Sequence, residues 1–274
     1  FHLRVPRDRI ANIKFRRSIL RRCQTSNLAR KAIRKACEED ILFFINVFCF
    51  IFEPRAMRTY TWCTWPYQDD AIRTILECIE QQKDLVVTKS RDMGASWMFV
   101  AVMFWMWFFK KNCTFLMVSR VAELVDDENP DSLFWKFRFL MKYLPDWLKP
   151  KYDDRKFHFG NRDTGSSVNG IATTTGAGVG GRCTAMLVDE FSRIEGPKAA
   201  ELLSGTADTT RCRLFNYTYW GPPSHPSYEL AERKDLRQLK MHWTLHPEKA
   251  RGLYQFDDED KRIKVLDRGY EFPP

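Results

Sequence analysis

No two of the eight cysteines in this 274-residue chain are spaced as C-x-x-C. Most sit among apolar or basic neighbours, which excludes a zinc ribbon or a disulfide framework and implies reduced thiols in a cytosol-like compartment. No apolar run approaches the ~20 residues that a membrane-spanning helix needs. The two longest, 41–52 and 97–109, read as helices buried on most sides. No apolar stretch with a cleavage site follows the basic N-terminal residues, so no secretory signal is expected. Histidine is scarce at five residues, and neither Ser192 nor Ser204 pairs with one as nucleophile and base. His242 and His246 lie four apart, but apolar residues interleave them and a metal pair is not expected. No internal repeat is present.

Acidic residues are almost missing from the first 35 positions. Twelve Lys and Arg there face Asp8 alone, while the remaining residues carry 32 basic against 34 acidic groups. The net charge of +9 therefore belongs to the N-terminal segment, a composition suited to nucleic acid or another polyanion. With 44% hydrophobic and 14% aromatic residues the chain can bury a large core, as one α/β domain or a core with an appendage.

Helical composition runs over 1–39, with Ser26-Asn27 as a break and N-cap, and a further helix is expected over 41–52 up to Pro54. Residues 55–67 read as a connection with short extended pieces. Ile72, Ile75, Leu76 and Ile79 recur at helical spacing over 69–82. Strands are expected at 85–88, 114–119, 156–159, 167–171, 185–188, 214–219 and 241–245. Helices are expected at 96–109, from 122, at Leu133–Lys142 and at 227–240, before an acidic, loop-rich tail. Strands alternating with helices imply a mostly parallel sheet covered by helices on both faces.

The chemistry concentrates after the first of these strands, at Lys89-Ser90-Arg91-Asp92-Met93-Gly94-Ala95-Ser96-Trp97. Strand, tight turn and helix in that order place phosphate oxygens on the N–H groups of a helix N-terminus. Against the pattern G-x-x-x-x-G-K-[ST], Gly94 and Ser96 match, whereas Lys89 replaces the first Gly and Ala95 replaces the Lys. Gly94 would permit close backbone approach, Ser96 would supply a hydroxyl to Mg²⁺, and Lys89 with Arg91 would supply the cations that Ala95 cannot. The strand at 185–188 delivers Asp189 and Glu190 to its C-terminal edge, where α/β sheets place ligands. Asp189 is read as the Mg²⁺ ligand and Glu190 as the group that orients or deprotonates an attacking water. Thr218 ends the next strand, placed to sense a terminal phosphate. Gln68 is positioned to hydrogen-bond an adenine edge, with Tyr67 or Trp65 packing on the ring.

This ordered series resembles the ATPase domain of the large terminase subunit of tailed bacteriophages, the motor that packages DNA into procapsids. The resemblance rests on 65–68 as adenine motif, 89–96 as a Walker A loop with its Lys moved forward, 187–190 as Walker B and 217–221 as coupling motif. It extends to His242-Trp243-Thr244-Leu245-His246-Pro247 and covers about residues 40–250. It implies a P-loop NTPase fold with an N-terminal helical segment (1–60), an ATPase core (61–240) and a small C-terminal lid or linker (241–274). The nuclease domain of full-length relatives is not expected here, since Asp257, Asp258, Glu259 and Asp260 occupy one short loop. The resemblance further implies Mg²⁺ and ATP, double-stranded DNA as partner, and a homo-oligomeric ring, a pentamer on the portal protein, served by a small terminase subunit. The setting would be the host cytoplasm at the viral procapsid. An arginine finger acting between subunits is also implied, with Arg182 the candidate and Arg120 its competitor. Two other readings stand beside this one: a helicase-like or recombination ATPase on the same core, and a non-catalytic nucleic-acid-binding module whose phosphate loop is degenerate.

Overall fold

The computed structural model describes residues 1–173 and 181–274. The glycine-rich loop expected over 173–181 thus lies almost wholly outside the described residues. The chain opens with two helices, Arg9–Thr25 (α1) and Asn27–Glu39 (α2). They are divided at Ser26, whose hydroxyl accepts the Ala29 N–H at 3.1 Å, the N-cap that the composition predicts. Asp40 caps Ile41–Phe48 (α3) in the same way, and every residue of α3 is buried.

The helix expected through residue 52 stops at Phe48. Cys49 is extended, and Phe50–Glu53 (β1) pairs antiparallel with Arg58–Thr61 (β2). Aromatic and β-branched residues just before a proline favour extended backbone, and here a partner strand lies within reach.

The remaining elements follow in chain order: Pro66–Glu80 (α4), Leu85–Lys89 (β3), Ala95–Phe109 (α5), Thr114–Ser119 (β4), Ala122–Val125 (α6), Leu133–Lys142 (α7), Tyr152–Arg155 (β5) and His158–Asn161 (β6). Then come Ser167–Ala172 (β7), Ala185–Asp189 (β8), Gly196–Gly205 (α8), Arg213–Tyr217 (β9), Pro226–Glu232 (α9), Arg237–Met241 (β10), Arg251–Asp257 (β11) and Arg262–Glu271 (β12).

Eight strands form one sheet in the order β10-β3-β9-β8-β4-β7-β6-β5. The first six are parallel, and β6 and β5 add an antiparallel edge. Side-chain alternation sorts the core into two clusters. Leu85 and Val87 of β3, Ala185 and Leu187 of β8, and Leu214 of β9 join the large cluster with α3, α4, α5 and α7. Val86, Met186, Val188 and Phe215 point the other way, toward α8 and α9. This is a sheet buried on both faces, and its strands accordingly read as continuous apolar runs. The helix α5 is apolar all round because α3, α4 and α7 enclose it; only Ser96 and Trp97 at its first turn escape full burial.

Three expectations in the last third are corrected. The helix expected over 227–240 ends at Glu232, and Arg237–Met241 is instead β10, parallel to β3. The strand expected at 241–245 is a 3-10 turn, Trp243–Leu245. The acidic tail is no irregular loop but an antiparallel hairpin, β11 and β12, with the acidic run at its tip. Among the described residues no helix is long and apolar enough to cross a membrane.

Candidate nucleotide site

The strands β3, β8 and β9 all run the same way, so their C-terminal ends bring Lys89, Asp189 and Tyr217 to one edge of the sheet. The connection after β3 turns back through two left-handed residues, Asp92 (φ +58°) and Gly94 (φ +74°). Gly94 is also the residue before α5, and no side chain caps that helix. The first-turn N–H groups of a fifteen-residue helix thus lack the side-chain acceptor found at α1, α2 and α3. An uncapped N-terminus of this kind favours an anion.

Other elements hold the loop in place. Tyr67 of α4 donates its hydroxyl to the Met93 carbonyl at 3.0 Å, and burial raises the phenol's pKa, keeping it protonated. The Ser90 N–H donates to the carbonyl of Met241, at the end of β10, at 2.9 Å. Lys249 donates to the Arg91 carbonyl, and Arg55 pairs with Asp92 at 2.8 Å. The Arg91 side chain is exposed and makes no ion pair among the described residues.

Gln68, expected to contact adenine, makes hydrogen bonds within the protein. Its carbonyl oxygen accepts the Trp65 N–H at 3.2 Å, closing the first turn of α4, while its amide nitrogen donates to Tyr67 at 3.3 Å. A Cβ at Gly94 would lie 3.1 Å from that nitrogen. Gln68 thus lies against the loop between β3 and α5. Trp65 packs edge-on against His246 at 4.2 Å between ring centroids. Burial first and Lys249 second push the His246 pKa down, keeping that ring neutral.

The two adjacent carboxylates sit in different surroundings. Asp189 is buried, accepting from the Ser96 hydroxyl at 2.9 Å and from the Asn216 amide at 2.5 Å. Glu190 is left-handed (φ +55°), a conformation that costs a non-glycine residue about 1–3 kcal/mol and concentrates at functional sites. Its side chain is 35% exposed and meets Lys89 Nζ at 3.6 Å. The same ammonium donates to Thr218 Oγ1 at 3.2 Å. Lys89, Glu190 and Thr218 therefore converge, as do Ser96, Asp189 and Asn216. The loops after β8 and β9 are tied together, since Ser192 donates to the Thr218 carbonyl at 2.6 Å and Arg193 lies 3.5 Å over the Trp220 ring.

Hard oxygens on Ser96 and Asp189, next to an uncapped helix start, fit Mg²⁺, which binds through one or two carboxylates plus phosphates. Asn216 adds a second observation, for its buried Oδ1 has no hydrogen-bond partner. Among the described residues no group of three or more metal-ligating side chains exists that would hold an ion alone. A divalent ion here would depend on phosphate oxygens.

No motif or spacing marks Asn216 in the sequence. A lone amide inside Leu214-Phe215-Asn216-Tyr217 was the available signal, since a buried polar group in an apolar strand needs a partner. Lys136 of α7 is a buried ammonium near this edge. Burial pushes its ammonium down to about 8, and the charge of Asp189 opposes that shift. Its proton stays in place at neutral pH, donated to the carbonyls of Pro130 and Asp131 at 2.8 and 2.7 Å.

The two finger candidates lie at opposite edges. Arg182 is exposed just before β8 begins, across the sheet from the carboxylates that end that strand. Arg120 is exposed directly after β4, on the carboxylate edge.

No protein-family model matches the chain, and no curated protein matches it. Among solved structures, the large terminase of bacteriophage HK97 is similar with a TM-score of 0.56 and 11% identity, over 75% of this chain and 43% of that one. A large terminase from a thermophilic bacteriophage, in complex with ATP-gamma-S, matches at a TM-score of 0.48 and 11% identity, over 67% of this chain and 46% of that one. The second score is too low to carry an argument. The first shows that the chain shares the α/β fold of a phage large terminase, and the chain spans less than half the length of that protein.

Proposed function

We propose that this chain is the ATP-hydrolysing motor domain of a phage DNA-packaging machine of the large-terminase kind. The observation that carries the reading is the convergence of Lys89, Ser96, Asp189, Glu190 and Thr218 beside an uncapped helix start, at the C-terminal edge of a parallel sheet. The fold shared with the HK97 large terminase supports it. ATP phosphates would lie on the N–H groups of residues 90–97, with Lys89 and Arg91 supplying charge in place of Ala95. Ser96 and Asp189 would hold Mg²⁺, which when bound neutralises charge on the phosphates; Asn216 keeps the Asp189 carboxylate in orientation. A phosphate reaching Lys89 would compete with Glu190 and Thr218 for its ammonium. Glu190, freed from that ion pair, would orient the attacking water and accept its proton. Thr218 would sense the same exchange and pass it to the loop it begins.

The same reading takes 1–60 as a basic helical segment, 61–240 as the ATPase core and 241–274 as a lid or linker. Double-stranded DNA is the substrate moved, within a ring of copies, a pentamer on a portal protein, that cooperates with a small terminase subunit in the host cytoplasm at the procapsid. Arg182, too far across the sheet to reach its own carboxylates, would serve a neighbouring copy, whereas Arg120 could serve its own.

Mg²⁺-dependent phosphate release, measured with and without duplex DNA at rising protein concentration, tests this. Glu190→Gln should lower turnover about 10²–10⁴-fold while nucleotide still binds. Turnover at the wild-type rate would remove Glu190 from the mechanism. Salt-sensitive DNA binding with no turnover at any concentration would favour the non-catalytic module instead, and strand displacement on forked DNA would favour a helicase.

A further inference from the structure

The hairpin β11–β12 carries an apolar face that is exposed among the described residues. Cross-strand register puts Tyr254 opposite Val265 and Phe256 opposite Ile263, on one side of a two-stranded ribbon. These four are 59, 50, 51 and 65% exposed. The alternate pairs, Gln255 with Lys264 and Asp257 with Arg262, make the other side polar. The base of the ribbon is anchored, where Phe272 packs edge-on against Trp243 at 4.9 Å. A two-stranded ribbon is marginal by itself in water, and a contiguous exposed apolar face marks an interaction surface. Its tip carries Asp257, Asp258, Glu259 and Asp260, all exposed. Lys261 pairs with Asp258 at 3.6 Å, and the carboxylates of Asp257, Glu259 and Asp260 remain to meet a basic partner.

The complementary chemistry is present elsewhere in the same chain. Four of the twelve N-terminal cations are spent inside the fold: Arg7 on Asp69, and Arg16, Arg30 and Arg34 on backbone carbonyls. Of the rest, Lys14, Arg17 and Arg21 line the outer face of α1 and make no ion pair among the described residues. Between them that face exposes Ile10, Ile13 and Leu20, at the spacing of one helical stripe. An apolar stripe edged with cations matches an apolar ribbon tipped with carboxylates. Among the described residues no ion pair joins the two surfaces within one chain, and both are exposed.

We infer that the β11–β12 hairpin is an arm that docks on the outer face of α1 of a second copy of this chain, apolar face on apolar stripe and acidic tip on Lys14, Arg17 and Arg21. Each copy offers one arm and one receiving helix, so the contact is head-to-tail and propagates until it closes into a ring or runs on as a filament. The arm gives the ring proposed above its contact surface, and it does not rest on the nucleotide chemistry.

Sedimentation velocity across a concentration series, without nucleotide, tests the arm separately from ATPase activity. The chain should self-associate as concentration rises. Asp258→Lys with Glu259→Lys should weaken association roughly tenfold, as should Arg17→Glu with Arg21→Glu, because each sets like charges against one another. All four changes together should restore it, and Ile263→Ser should weaken it without altering the thermal melt. A chain that stays monomeric at every concentration would overturn the proposal. So would a fourfold variant no better than its halves, or an Ile263→Ser variant that associates normally.

Discussion

The two edges of the central sheet handle charge in opposite ways. At the N-terminal edge, Asp84 and Arg213 form a closed pair. The Arg213 guanidinium meets Asp84 Oδ2 at 2.5 Å, and the Arg213 backbone N–H takes Oδ1 at 2.7 Å. Both side chains are largely buried, and a third donor of Arg213 reaches the Leu203 carbonyl at 3.0 Å. At the C-terminal edge, Lys89 spans 3.2 and 3.6 Å to two different partners, Arg91 makes no ion pair among the described residues, and α5 starts without a side-chain cap. The first arrangement leaves no capacity for a ligand. The second has donors and cations in excess of what the protein itself uses, which is what a site for a highly charged anion requires.

The comparison can be broken by substitutions at either edge. Arg213→Met leaves Asp84 buried without its partner and should cost about 3–5 kcal/mol in urea unfolding, with nucleotide affinity of the folded fraction unchanged. Lys89→Ala should weigh mainly on function, lowering ATP turnover about 10²–10³-fold. The Lys89 side chain is 9% exposed, but the carboxylate it leaves behind, Glu190, is 35% exposed and can be hydrated, so the loss of stability should be smaller than for Arg213→Met. Ala95→Lys should change turnover less than Lys89→Ala does. Equal losses of stability in the Arg213 and Lys89 variants would mean that the two edges do not differ in kind.

Gly94→Ala tests the loop itself. Its left-handed backbone and the amide 3.1 Å from any Cβ should lower stability by about 1–2 kcal/mol, read as a drop in melting temperature. The smallest expected effect is a pH dependence at His246. Its pKa is depressed below the ordinary 6.5 in the folded state, so the unfolded chain takes up the proton first. The stabilising contribution is complete above 6.5 and is lost as the pH falls below it. His246→Phe should remove that slope in unfolding measured between pH 5 and pH 8.

Elements whose signal is local were readable in the sequence. Leu133–Lys142 has the bounds its pattern predicts, and β3, α5 and β8 are apolar runs bounded by charge. Elements defined by distant partners were not. The residues Arg237-Gln238-Leu239-Lys240-Met241 have helical composition, and only pairing with β3 makes them a strand. Tyr254 and Phe256, with Ile263 and Val265, do alternate at period two, but the acidic run between them has the composition of a loop, and only the cross-strand pairing makes it the tip of a hairpin. At the site, the charged residues stood out by type and spacing. The roles of Gln68 and Asn216 depend on which neighbours the fold brings to their amides, and no spacing encodes that.

The interleaved strand order also dictates when the loop between β3 and α5 can take shape. The strand that leads into it, β3, is flanked by β9 and β10, both made long after it as the chain leaves the ribosome, and Ser90 is pinned by Met241. Local helices such as α4 and α5 can form early, but the pairings that set the loop are among the most remote in the sheet and so among the slowest to close. On the function proposed above, nucleotide binding during refolding would then be a late event, after most helical signal has been recovered.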